Sequence, residues 1–126
     1  MRLKKLVLPI LCLAGFALFG TEPARACTQF IYGTNGNDLL LGSTADDCMY
    51  GLAGDDEIRG GDGDDVLYGE DGNDVVRGNR GDDWVSGDDG DDRLHGGAGV
   101  DNGFCGTGYD GYESDLEFPH DCEFPI

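Results

Sequence analysis

The chain reads Gly60-Gly61-Asp62-Gly63-Asp64-Asp65-Val66-Leu67-Tyr68 and then Gly69-Glu70-Asp71-Gly72-Asn73-Asp74-Val75-Val76-Arg77, two nine-residue units whose register decides the fold. Working outward, the first position of the unit is Gly33, Gly42, Gly51, Gly60, Gly69, Gly78, Gly87 and Gly96. The sixth is as constant: Asp38, Asp47, Asp56, Asp65, Asp74, Asp83, Asp92 and Asp101. The fourth is Gly36, Ala45, Gly54, Gly63, Gly72, Gly81, Gly90 and Gly99, and the eighth is apolar from Leu40, Met49 and Ile58 to Val85 and Leu94, lapsing at Gly103. Phe30, Ile31 and Tyr32 form the strand half of a preceding unit, and residues 105–113 are a degenerate ninth that keeps Gly108, Asp110 and Tyr112 at positions four, six and eight. Self-similarity at so short a fixed period marks a solenoid, in which each unit buries its apolar face only by stacking on its neighbours. One inward residue in nine predicts a thin core.

Composition limits what such a solenoid can meet. Among 126 residues there are 23 Gly and a formal net charge of −18. Residues 1–26 read as an export signal: a basic start at Arg2, Lys4 and Lys5, an apolar stretch over 6–19, and Ala24-Arg25-Ala26 as a small-residue cleavage pattern. Fourteen apolar-stretch residues interrupted by Pro9 fall short of the roughly 20 that span a bilayer. Lipid attachment at Cys27 is disfavoured because Ala24 stands where such signals carry Leu. Cleavage before Cys27 leaves four Arg, no Lys and 25 acids (26 less Glu22), a net charge of −21. A chain so acidic repels nucleic acid and anionic membranes, and its natural counter-charge is a cation.

The two quoted units resemble repeats-in-toxin nonapeptides, and the resemblance extends over residues 30–113. It implies an all-β fold, a right-handed parallel β-roll in which six residues turn, three form a short strand and two units complete a coil. It also implies calcium held at the turns. The expected organisation is an export signal (1–26), a roll (27–113, with full repeats over 33–104 and the degenerate unit over 105–113) and a C-terminal cap (114–126). Residues 105–123 resemble the Cys-bounded tail that follows such repeats in other exported bacterial proteins, so the chain is expected to be secreted and extracellular.

The residue types suit that chemistry. A tight turn that aims carbonyls inward needs positive φ, which Gly adopts freely and Asn or Asp tolerably, and this is the expected reason for columns one, four and five. Calcium is a hard cation wanting six to eight oxygens, whereas softer metals want Cys and His. Residues eighteen apart stack at roughly the 4.8 Å interstrand spacing, giving one ladder of Asp38, Asp56, Asp74, Asp92 and Asp110 and another of Asp47, Asp65, Asp83 and Asp101. One ion between consecutive rungs gives about six or seven, fewer if the first coil, with Thr44 and Ala45 in its turn, is poor. Asn35, Asp62, Asp71 and Asp89 at the third position are the expected helpers. Neighbouring carboxylates about 5 Å apart repel by roughly 1 to 3 kcal/mol per pair at effective dielectrics of about 80 to 20. The metal-free chain is therefore expected to be largely disordered, with ion binding and folding one event.

With Cys12 in the signal, four Cys remain, which suits disulfides in an oxidising compartment. Three pairings are possible. Cys27 with Cys48 and Cys105 with Cys122 are favoured, because each ties an end of the roll; a zinc site is disfavoured because no two of these Cys lie close in sequence. Sorted by sheet, one outer face carries Cys48, Val66, Trp84 with Tyr50, Tyr68, Ser86, Phe104, and the other Leu39, Glu57, Val75, Arg93 with Leu41, Arg59, Arg77, His95. Tyr50, Tyr68, Trp84 and Phe104 form a candidate surface for a protein or glycan partner, although packing against the cap or a second copy explains them as well. The arginines are expected to balance the acidic turns. His95 and His120 lie in no zinc-protease pattern and no Ser sits in a nucleophile elbow, so the chain is not read as an enzyme.

Overall fold

The computed structural model describes residues 27–112 with their side chains, and the strands Arg2–Leu3, Leu116–His120 and Phe124–Pro125 by backbone alone. Every regular element among these is a strand: β1 (Arg2–Leu3), β2 (Gln29–Tyr32), β3 (Asp38–Leu41), β4 (Asp47–Ala53), β5 (Glu57–Asp62), β6 (Val66–Asp71), β7 (Val75–Arg80), β8 (Trp84–Asp89), β9 (Arg93–Ala98), β10 (Asp101–Thr107), β11 (Gly111–Tyr112), β12 (Leu116–His120) and β13 (Phe124–Pro125). Odd strands form one sheet in the order β1-β3-β5-β7-β9-β11-β13, and even strands the other, β12-β10-β8-β6-β4-β2. All pairs are parallel, and successive coils advance by eighteen residues: Leu40 lies beside Ile58, Ile58 beside Val76 and Val76 beside Leu94. The result is an all-β parallel roll of about five coils.

The expected division into six turn residues and three strand residues shifts. In β5 to β9 each strand runs over six residues, positions seven to nine and one to three, and five of them are ladder-paired, the first-position Gly being skipped: Arg59 faces Arg77 and the next pair is Gly61 with Asn79. The turn proper shrinks to positions four to six.

Period-two alternation places the eighth position inside. Ile31, Leu40, Met49, Ile58, Leu67, Val76, Val85 and Leu94 are each at most 1 % exposed and line up between the two sheets. Position one lies two residues further along and points to the same interior. A Cβ on Gly51 would meet the Gly69 carbonyl oxygen at 2.5 Å and Asp56 Oδ2 at 2.6 Å, so the column is Gly for want of room. Where position eight lapses at Gly103, the first-position residue of the last unit, Cys105, turns in and fills the core at 0 % exposure.

The expectation of left-handed backbone at columns one, four and five is corrected. Positive φ falls at column four, from Gly54 (111°) to Gly108 (145°), and at column two, where Leu52 (80°), Glu70 (74°), Asn79 (84°) and Asp88 (73°) adopt it without being Gly. Such a conformation costs a side-chain-bearing residue about 1–2 kcal/mol, so these four residues mark a turn shape imposed by stacking.

Cys27 and Cys48 are disulfide-bonded with Cα atoms 5.5 Å apart, as favoured. Cys105 is also disulfide-bonded; its expected partner, Cys122, lies outside the described residues. So does the segment expected as an export signal, apart from β1, whose backbone pairs with β3 at Asp38 and Leu39. Of the segment expected as a cap, β12 pairs with β10 and β13 with β11, but 15 to 16 and 13 residues on from their partners, so the eighteen-residue register has ended.

At saturating calcium, Leu67→Ala should cost about 2–5 kcal/mol in urea unfolding, while Val75→Ala on the outer face should stay within about 0.5 kcal/mol. Equal losses for the two would contradict a core confined to the eighth column.

Candidate metal ladders

Each coil carries its two sixth-position aspartates into the interior. Asp38, Asp47, Asp56, Asp65, Asp74, Asp83, Asp92, Asp101 and Asp110 are all at most 3 % exposed. Their arrangement is a continuous ladder in which the backbone N–H of one aspartate donates to Oδ1 of the aspartate one coil later. Asp38 donates to Asp56 (2.7 Å), Asp56 to Asp74 (2.7 Å), Asp74 to Asp92 (2.8 Å) and Asp92 to Asp110 (2.9 Å). The second ladder runs from Asp47 to Asp65, Asp83 and Asp101, at 2.8 Å throughout. The eighteen-residue stacking read from the repeat therefore brings all nine sixth-position carboxylates into two files.

In each rung after the first of its file, only Oδ1 is engaged this way. Oδ2 of Asp56, Asp65, Asp74 and Asp92 is buried and accepts no hydrogen bond. A buried carboxylate oxygen without a donor costs roughly 1–3 kcal/mol or more, and here the cost recurs at successive turns. The fit to a hard cation follows from the donor set: carboxylate oxygens, one per turn, in a chain whose turn backbone supplies further oxygens. Among the described residues no three His, Cys, Asp or Glu side chains converge on one point. An ion between rungs would need oxygens besides these carboxylates, of which turn main-chain carbonyls are the nearest kind the repeat supplies.

The fifth position has a role that the repeat did not reveal. Its side chains form an outer ladder of opposite sense, each oxygen accepting the backbone N–H one coil later: Asn37 from Asp55 (3.0 Å), Asp55 from Asn73 (3.0 Å), Asn73 from Asp91 (2.8 Å) and Asp91 from Tyr109 (2.9 Å). A parallel file runs from Asp46 through Asp64 and Asp82 to the N–H of Val100. Column five is thus Asn or Asp for hydrogen bonding and not for positive φ. Both files end where Val100 and Tyr109 replace the acceptor.

The third-position residues stand elsewhere. Asn35, Asp62, Asp71 and Asp89 are exposed; Asp62 Oδ1 lies 3.7 Å from Arg80, and Asp89 accepts from Thr107 Oγ1 at 2.6 Å. Of the sheet-face arginines expected to balance the acidic turns, Arg59 and Arg77 instead meet Glu57 Oε1 at 2.6 and 2.8 Å on that face. The Arg59 hydrogen bond is the main reason that Glu57 sits below the usual carboxylate range. On the opposite face Tyr32, Tyr50 and Tyr68 stack at 5.1 and 5.2 Å between ring centroids. The file ends at Ser86, beside Tyr68, and Cys48, Val66 and Ser86, expected on that outer face, are buried.

Burial is the largest cause that pushes Asp56, Asp65 and Asp92 up to about 7 and Asp74 up to about 6; the N–H from the preceding coil opposes it and nearby carboxylates add to it.

A parallel roll whose stacked turns bury acceptor-only carboxylates defines a class of protein, the cation-stapled solenoids. The family model of the RTX calcium-binding nonapeptide repeat matches in four copies, at residues 32–67, 42–76, 50–85 and 68–102, which together span more than half of the chain. The chain belongs to that family, and its repeats bind calcium. No curated protein and no solved structure matches it.

The raised aspartates make the metal-free roll sensitive to pH. Their unfolded value is 3.8, so the folded chain retains protons that the unfolded chain releases. Stability from this source is complete below about pH 4 and is lost as pH rises through 6 to 7. In chelator, circular dichroism should therefore show β-structure near pH 4 that disappears by pH 7.5. A chain equally disordered at both values would contradict this.

Proposed function

We propose that this is a secreted calcium-binding protein that folds into its β-roll on taking up several calcium ions, with the sixth-position aspartates Asp38 to Asp110 as the ladder from which the metal ligands are drawn. The observation that carries the reading is the buried, donor-less Oδ2 of Asp56, Asp65, Asp74 and Asp92. When bound, calcium supplies the positive charge that cancels repulsion along each file. The chain's own part is to present one carboxylate per turn, to hold it through the N–H of the preceding coil, and to exclude water around it. Asp62, Asp71 and Asp89, which stand outside the turns, act by adding negative charge that attracts the ion, and the neutral Asn35 offers only an amide oxygen.

A net charge of −18 repels nucleic acid and anionic membranes. Among the described residues no helix is long and apolar enough to cross a membrane. The N-terminal 26 residues serve as the export signal, so the chain folds after delivery to a calcium-rich, oxidising compartment where Cys27–Cys48 forms. The RTX roll is a structural and non-catalytic type of fold, and the function is binding and not turnover.

Calcium titrated into the oxidised protein in chelator should drive a cooperative disorder-to-β transition in far-ultraviolet circular dichroism at neutral pH, and magnesium should not. An unchanged spectrum would sink the reading.

A second reading is favoured by the stack of Tyr32, Tyr50 and Tyr68. Parallel aromatic rings at a regular spacing suit the flat faces of sugar rings or the apolar core of a protein interface. In this reading the roll is an adhesive surface protein, with Trp84 and Phe104 continuing the face. Binding on a glycan array should then fall at least tenfold in Trp84→Ala with calcium-driven folding intact; no binding by the unaltered protein would remove this reading and leave the first untouched.

A further inference from the structure

The nine turns are of two kinds. In the first two, the residue at position two carries a hydroxyl and points both of its donors at the aspartate four residues on. Thr34 N–H and Oγ1 donate to Asp38 Oδ2 at 2.6 and 2.7 Å, and Ser43 N–H and Oγ donate to Asp47 Oδ2 at 2.7 and 3.0 Å. The oxygen left without a donor in Asp56, Asp65, Asp74 and Asp92 is here doubly satisfied from within the turn.

The backbone differs in step. From Leu52 onward every second position lies at positive φ, including Leu52, Glu70, Asn79 and Asp88, whereas Thr34 and Ser43 do not. From Gly54 onward every fourth position is also at positive φ, whereas Gly36 and Ala45 are not. The first two turns therefore point N–H and O–H donors at their carboxylates. Donors directed at an anion do the work of a cation and leave no lone pair on that oxygen for one.

We propose that Thr34 and Ser43 close the first two turns in place of calcium, so that this roll takes five ions between its rungs and not the seven that its aspartate ladders count. The proposal rests on the calcium reading above. The occupied gaps are Asp56 to Asp74, Asp74 to Asp92, Asp92 to Asp110, Asp65 to Asp83 and Asp83 to Asp101. The gaps Asp38 to Asp56 and Asp47 to Asp65 stay metal-free. Asp47 Oδ1 is itself buried without a donor, as is Gln29 Nε2, and Gln29 is the ladder neighbour of Asp47. A Gln at the sixth position of the preceding unit thus places an amide donor, and not another carboxylate, at the start of that file. The Cys27–Cys48 disulfide closes a covalent loop around the same two turns. The N-terminal coil is built to hold its shape by hydroxyl and disulfide, and it offers the calcium-dependent coils a preformed surface on which to stack.

Native mass spectrometry of the exported, oxidised protein at saturating calcium counts the ions directly. Five are expected, and six in Thr34→Gly, whose turn retains Gly36 and loses the hydroxyl. Any count other than five in the unaltered protein overturns the proposal, as does an unchanged count in a folded Thr34→Gly. If that variant does not fold, the count on the unaltered protein decides alone. Six or seven ions with calcium-driven folding intact leaves the calcium reading standing, whereas no bound calcium overturns both.

Discussion

A carboxylate is placed inside every turn of this roll, and the rest of the molecule accommodates that placement. Sixth-position aspartates at most 3 % exposed stand in two files, each rung tied by Oδ1 to the N–H of the coil before it. A buried anion is tolerated only when paired or neutralised, and stacking identical anions coil upon coil compounds the cost. What the fold gains is a turn whose geometry depends on its occupant. The apolar column is one residue wide and cannot stabilise the structure against the repulsion that the aspartates create, so core and ladder have to be understood together.

That dependence explains the other columns. Position one is Gly because the neighbouring coil's carbonyl and the carboxylate oxygen fill the space where a side chain would go. Positions two and four turn left-handed so that stacked turns fit, even at the cost of putting Leu52 and Glu70 there. Position five clamps the outside of each turn to the next coil, in the direction opposite to the inner ladder. Two files of hydrogen bonds of opposite sense fix the rise between coils on the inside and the outside of the turn. In the folded roll, oxygens able to bind a cation are thereby held at a regular spacing.

The ends are handled by departures from the pattern. At the N-terminus hydroxyl residues satisfy the carboxylates, and Cys27–Cys48 ties the edge strand β2 to the coil beside it. At the C-terminus Gly103 leaves a hole in the core that Cys105 fills, while Val100 and Tyr109 end the outer ladder by lacking a side-chain acceptor. Each substitution is small, and each falls in the first or last coils of the described roll.

Much of this was legible in the chain itself. The invariant Gly and Asp columns, with an apolar residue two places beyond the Asp, determined a nine-residue solenoid with that apolar column inside, because period and side-chain alternation are properties of local sequence; the parallel roll and its eighteen-residue coil followed from the resemblance to repeats-in-toxin nonapeptides. They also pointed to a hard cation, since an acidic chain repeating one carboxylate per turn offers oxygen and little else. What only the tertiary structure decided depends on the residue eighteen places away. Left-handed backbone moved from columns one and five to column two because the shape of a turn is set by the turn stacked on it. The Asx residues of column five gained their partners only across coils. Likewise nothing in the sequence set Thr34 and Ser43 apart from the other non-glycine residues at position two; their folded turns show that their donors take the carboxylate oxygen left bare in later coils, a distinction of direction that no count of residue types contains.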